Sequence, residues 1–327
     1  LSKIKVSARL KDDPSCVTNS SYTFTVINDF GDTYDLDCIG YTACVDGSIK
    51  AYTVWTVPKE CRVDGAYVKY SYNKKLISKT YYVYFNYAEP DIQNNMLVYK
   101  FPCEIAAKEM STDIAYEFHS ANGDVLADGT FNLSDDYIKP LIDSGSYYSN
   151  TVKKLINYGA YTQIQLGFNT EKLANEYLPD EDKNLIDLNI VKENVSQYKA
   201  TVTSDSSGIT YYGSSLVTES TLKVKQYFIV DNSVQAQPKC YIDGEPVTPQ
   251  YAGKNSKGSI YYIQSPGCSI MNMGVMNEYK IGGLTITYCP LSYIHTVVNS
   301  TSAETPLGDA NRALYDFYST LNYYAGE

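Results

Sequence analysis

Histidine and tryptophan are almost missing from this chain. Its 327 residues include two histidines, one tryptophan and five methionines. With only His119 and His295 available, an imidazole-rich metal centre or a histidine base beside a nucleophile has little to draw on. Positive charge is also in deficit. Lys and Arg number 27 against 37 Asp and Glu, for a net charge of -10. That balance argues against nucleic acid as a partner, since binding there rewards phosphate neutralisation, and against simple adsorption to acidic lipid. No run of about eighteen apolar residues occurs, so no segment reads as a transmembrane helix. Phosphate-cradling and dinucleotide glycine patterns, the G-x-S-x-G elbow and the CxxC spacing of zinc sites are all lacking. There is no signal-peptide pattern either. The opening LSKIKV, without Met, reads as a piece of a larger multidomain chain.

Tyrosine fills the gap. There are 34 tyrosines against nine phenylalanines. A tyrosine buries a large ring and keeps a wet hydroxyl, so it suits strands with half-exposed rings and also contact surfaces. Four adjacent pairs stand out: Tyr81-Tyr82, Tyr147-Tyr148, Tyr211-Tyr212 and Tyr261-Tyr262. On a strand one ring of each pair must face outward. These pairs are the candidate ligand-binding residues, for a sugar or a partner protein, and ordinary sheet surface is the competing reading.

Eight cysteines, at 16, 38, 44, 61, 103, 240, 268 and 289, leave disulfides or buried thiols open. The stretch INDFGDTYDLD carries Asp29, Asp32, Asp35 and Asp37, a weak approach to the alternating oxygen ligands of a calcium loop; a solvated turn is the default. The adjacent carboxylates at Asp12-Asp13, Asp135-Asp136 and Asp180 to Asp182 diverge on any regular backbone and read as loop or cap residues. No catalytic residue is assigned, and no cofactor beyond that weak calcium option.

Alternating apolar residues predict strands through KIKVSARL, SYTFTVIND, GAYVKYSYN and KTYYVYFNY, and again from Gly208 onward. Asn122-Gly123 signals a hairpin. Ser134 is expected to cap a short helix, and Pro140 to kink or end it. Val152, Leu155, Ile156, Gly159, Ala160 and Gln163 share one side of a helix that Gly167 should cap. A second stripe runs from Leu307 through Leu314 to Tyr324.

The halves also resemble each other in order. GSIKAYTVWTV overlays STLKVKQYFIV, setting Trp55 on Phe228; CRVDG at Cys61 overlays CYIDG at Cys240; Met110 falls near Met276, and Tyr137 on Tyr293. The expected fold is mostly β with helices (α+β), as two tandem related sheet or sandwich units, each closed by a short and a long helix at its C-terminal end. The expected boundaries are 1–35 for N-terminal strands (the tail of a preceding domain or part of the first unit), 36–184 for the first unit, 185–205 for a linker or crossover and 206–327 for the second unit.

The segment VKKLINYGAYTQIQLGFNTEKLAN resembles a module repeated in large cell-surface proteins of gut Clostridia, whose phrase runs L-L-N-Y-G-A-x-A-Q-x-x-F-G-Y-N-T-x-x-L-A-N. Leu155, Asn157, Tyr158, Gly159, Ala160, Gln163, Gly167, Asn169, Thr170, Leu173, Ala174 and Asn175 match it; Thr162 and Leu166 depart from it. Ala313, Leu314 and Tyr315 match the terminal phrase of the same module, so the likeness spans roughly residues 36–327. The resemblance implies an extracellular, secreted or wall-associated protein of a Gram-positive anaerobe. It further implies a non-catalytic binding or adhesion role toward glycan or host protein. A structural spacer, or an enzyme acting on carbohydrate or peptide, are the alternatives.

Overall fold

The computed structural model describes residues 24–27, 33–44, 49–58, 65–74, 77–84, 91–93, 96–119, 123–146, 148–205, 208–234 and 236–325. The architecture is mixed α+β, with several antiparallel sheets and helices toward the C-terminal end. Two compact units divide the chain. One lies within 24–44, 50–105 and 110–144; the other takes residue 49, 106–109 and 145–325.

The first unit contains β1 (Phe24–Ile27), β2 (Thr33–Cys44), β3 (Lys50–Pro58), β4 (Tyr67–Lys74), β5 (Ile77–Tyr84), β6 (Asp91–Gln93), β7 (Met96–Glu104), β8 (Ile114–His119), β9 (Val125–Phe131) and the short α1 (Lys139–Asp143). Its sheets run β1-β2-β3-β7-β6 and β5-β4-β8-β9. They meet through Trp55 on β3, which is fully buried and lies 4.8 Å from Phe118 and 5.9 Å from Tyr116 of β8 between ring centroids. Strand β1 adds to the edge of β2.

The second unit begins with α2 (Ser149–Leu166) and α3 (Leu188–Val195). There follow β10 (Thr201–Ser204), β11 (Ile209–Thr218), β12 (Leu222–Asp231), β13 (Cys240–Ile242), β14 (Glu245–Val247), β15 (Gln250–Asn255), β16 (Gly258–Gln264), β17 (Asn277–Ile281) and β18 (Leu284–Tyr288). Helices α4 (Pro290–Val298) and α5 (Pro306–Ala325) close the chain. Its sheets run β11-β12-β16-β15 and β10-β18-β17-β13-β14. Phe228 and Ile263 from one sheet and Tyr279, Ile286 and Tyr288 from the other belong to one buried cluster.

Placed in chain order, β2-β3-β7-β6 and β11-β12-β16-β15 follow one strand order, and so do β5-β4-β8-β9 and β14-β13-β17-β18. Even the irregularities coincide. β2 carries a bulge between Cys38 and Gly40 opposite Trp55, and β11 one between Tyr211 and Gly213 opposite Phe228. The register therefore equates Trp55 with Phe228, as the overlay of the two phrases expects. It equates Met110 with Met273 rather than Met276. Each ends a short 3-10 turn and accepts the backbone N–H that opens the next helical segment, from Ser134 and Leu291 respectively. Met276 is exposed and Met273 fully buried. The Cys240 phrase corresponds to Val68, not Cys61: its Asp243-Gly244 turn follows β13, whereas Gly65 precedes β4. Residues 59–64 lie outside the described residues.

Other local expectations shift for physical reasons. Asn132, not Ser134, caps the helical turn after β9, because its side chain accepts from the N–H groups of both Ser134 and Asp135 while Asp136 returns to the Asn132 N–H. Residues 185–205 hold α3, capped by Asp187, and strand β10 on β18. The long helix expected over the first sheets, α2, lies in the second unit along α5, with an ion pair of 2.8 Å between Lys154 and Asp316.

The segment from Asn157 to Asn175 is wired together by its amides. Gly167 takes the left-handed conformation at φ 60°, and the Phe168 N–H reaches back to the Gln163 carbonyl. Gln163, fully buried, donates to the carbonyls of Asn169 and Lys172 and accepts from the Ala174 N–H. Asn175 donates to Asn157, which donates to the Asp182 carbonyl. These polar groups satisfy a loop backbone that would otherwise be buried unpaired.

Candidate functional site

The open face of the sheet β11-β12-β16-β15 collects the site. Alternation along β12 turns Val224, Gln226 and Phe228 toward the core and Lys223, Lys225 and Tyr227 away from it. Register then sets Tyr262 of β16 beside Tyr227, with Gly213 on the far side of Tyr227 and Gln250 on the far side of Tyr262. The two rings lie 5.5 Å apart at 44°, and the Lys225 ammonium sits 4.5 Å from the Tyr262 centroid. That geometry is a cation–π contact, which holds the ring and leaves a positive charge at its edge. Gly213, at φ 151° in its bulge, presents no side chain next to Tyr227, and the Ser215 hydroxyl of the same strand donates to the Tyr227 hydroxyl at 3.5 Å.

One row further along, Thr210, Ile229 and the turn residues Asp231, Asn232, Ser256 and Lys257 line a depression of about 270 Å³. Hydrogen bonds from the N–H and hydroxyl of Ser233 hold the Asp231 carboxyl below the usual carboxylate range. An aromatic strip thus leads into a shallow polar hollow with an acid, an amide, hydroxyls and an amine.

The tyrosine pairs fall as follows. Tyr262 is half-buried in the strip. Tyr212, the bulged residue, is 57% exposed, while Tyr211 and Tyr261 pack against the core. The Tyr211 hydroxyl donates to Ser214, which donates to Tyr288. Tyr82 and Tyr148 are exposed, at 52% and 57%. Tyr82 contacts Tyr67, itself stacked 4.7 Å over His119, so the first unit has its own aromatic row beside the Lys69–Glu117 ion pair. Tyr147, Asp29 and Asp32 lie outside the described residues, as do the side chains of Tyr81, Asp35 and Asp37.

Pair-counting missed Tyr227. Its signal is the register that sets it beside Tyr262, and a search for adjacent tyrosines has no access to that. Comparison with protein-family models, with curated proteins and with solved structures returns no match.

Chemically the strip is suited to holding a ligand. Among the described residues no three His, Cys, Asp or Glu side chains converge as metal ligands. Burial pushes the thiols of Cys240 and Cys268 up to about 11, and that of Cys289 upward as well. They are therefore protonated at neutral pH, which is the state of inert core thiols. No helix among the described residues is long and apolar enough to cross a membrane.

Proposed function

We propose that this chain is a non-catalytic extracellular binding module that takes a glycan on the open face of β11-β12-β16-β15. The observation that carries the reading is the outward pair Tyr227 and Tyr262, with Lys225 on the ring and the polar hollow alongside. A sugar presents an apolar C–H face to a flat ring and hydroxyls to neighbouring polar groups, and the strip supplies both in sequence. The likeness of residues 155–175 to the clostridial surface module supports a secreted or wall-associated setting in a Gram-positive gut anaerobe. In this reading the repeated strand order reflects two related sandwich-like units, each originally ending in a short and a long helix.

The test is a glycan array probed with the full chain, followed by titration of the best sugar. Tyr262→Ala should weaken binding by roughly tenfold or more, in line with the loss of about 1–3 kcal/mol for a stacking ring. Capture of a host protein with no glycan bound would move the reading to protein recognition. Binding of neither would favour the spacer, which the repetition of one sheet pair in tandem also supports.

A further inference from the structure

Away from the tyrosine face, α2, β11, α4 and α5 enclose a cavity of about 100 Å³. Tyr158 and Thr162 of α2, Thr218 of β11 and Asn311 of α5 bring polar groups to it; Leu216 and Leu314 form an apolar wall. No charged side chain lines it. Its rim includes Leu166, an apolar residue left 47% exposed at the end of α2.

Two polar atoms here have no partner. The Tyr158 hydroxyl belongs to a residue only 1% exposed, and Asn311 Oδ1 to one 5% exposed. The Thr162 and Thr218 hydroxyls lie close enough to interact weakly with the Tyr158 hydroxyl, but neither meets it in hydrogen-bond geometry. Thr162 gives its proton to the Tyr158 carbonyl at 2.7 Å. Asn311 Nδ2 donates to the Leu307 carbonyl at 2.8 Å, which fixes the amide so that its oxygen is the free end. Buried polar groups are nearly always satisfied, and leaving two unpaired beside one cavity is unfavourable unless something enters to meet them.

We propose that this cavity binds a small neutral polyol or the hydroxyl-bearing end of a sugar. One ligand hydroxyl accepts from Tyr158, a neighbouring hydroxyl donates to Asn311 Oδ1, and the C–H edge rests on Leu216 and Leu314. Ions are disfavoured because no counter-charge faces the space, and a purely apolar ligand would leave both polar atoms unpaired. An apolar cavity of about 150 Å³ accepts benzene, so this volume suits roughly four to six heavy atoms, with anything longer emerging past Leu166.

Saturation-transfer NMR and thermal shift on the full chain, with glycerol, erythritol and glucose as probes and butanol and acetate as contrasts, test this. Polyols should receive saturation and raise the melting temperature, while the contrasts do not. Tyr158→Phe keeps the ring and the packing, and should weaken polyol binding about tenfold with an unchanged circular dichroism spectrum. Tyr158→Phe should lose glycerol binding while keeping the best sugar of the array on the tyrosine face, which separates the two sites. No transfer from any polyol, equal binding by Tyr158→Phe, or a glycerol-soaked crystal showing only water on Tyr158 and Asn311 would each overturn it.

Discussion

Beneath β3 in the first unit, Trp55 donates to Thr53 at 2.9 Å, Thr53 meets the Tyr70 hydroxyl at 2.7 Å, and Tyr70 donates to the Phe101 carbonyl at 2.8 Å. Register sets Phe228, Gln226 and Ile242 in those three places in the second unit. The phenylalanine side chain has no N–H and that of isoleucine no hydroxyl, and Gln226, fully buried, has both amide ends unpaired. The same strand order thus carries a closed polar set in one unit and an orphaned amide in the other. Strand order survives exchange of the core side chains because it depends on alternation and volume; a hydrogen-bonded set survives only if all its members change together.

The comparison can be broken most strongly at its centre. Trp55→Ala and Phe228→Ala should each cost about 3–5 kcal/mol in urea unfolding, since each removes a fully buried ring between two sheets. Equal small losses would mean that neither ring holds its sheets together.

Next in size comes a pair of opposite sign. Thr53→Val removes a satisfied hydroxyl and strands the Trp55 N–H, while Tyr70 keeps its bond to the Phe101 carbonyl, for a loss of roughly 1–3 kcal/mol. Gln226→Met keeps the volume and removes the orphan amide, and should be neutral or stabilising by about 1–2 kcal/mol. Destabilisation by both would show that Gln226 has a partner after all.

A smaller effect comes from one ion pair of the first unit. The hydrogen bond from Lys69, and secondarily that from His119, holds the Glu117 carboxyl below its ordinary value against the opposing effect of burial. The Lys69 ammonium is raised for the same reason. A lowered carboxyl adds stability above its unfolded pKa and loses it as pH falls through the folded value; a raised amine does the reverse at the alkaline end. The contribution of this pair, read as the difference in urea midpoint between the wild type and Glu117→Gln, should therefore be flat between roughly pH 4.5 and 10.5 and fall outside that window. Glu117→Gln should remove no more than about 1 kcal/mol, because the pair is partly exposed.

The smallest effect is a rate. Cys240 and Cys289 of the second unit are buried and carry raised pKa values, so iodoacetamide at pH 8 should label them only after denaturant is added. Immediate labelling in the native protein would contradict the packing around them.

Much of the strand pattern was legible because inward residues such as Val224 and Phe228 alternate with Lys225 and Tyr227. The helix of 149–166 was legible because its stripe and the Gly167 cap agree. What escaped depends on contacts far apart in the chain. The packing of α2 along α5 brings together residues such as Lys154 and Asp316, far apart in the chain. Asn132 outcompeted Ser134 as a cap only because a β-type backbone placed it just ahead of the turn. Half of the candidate site could be read from tyrosine pairs. Tyr227, its neighbour, has a phenylalanine beside it in sequence and meets Tyr262 only through the pairing of β12 with β16.

The segments 49 and 106–109 have a consequence for biosynthesis. They are made with the first half of the chain but take their places in the second unit, where the Ile49 N–H donates to the Ser220 carbonyl and the Lys108 ammonium lies 5.2 Å over the Phe168 ring. On a ribosome both stretches emerge long before those partners exist. The second unit is then not a self-sufficient cassette: a gene cut at residue 145 would part it from pieces it packs with.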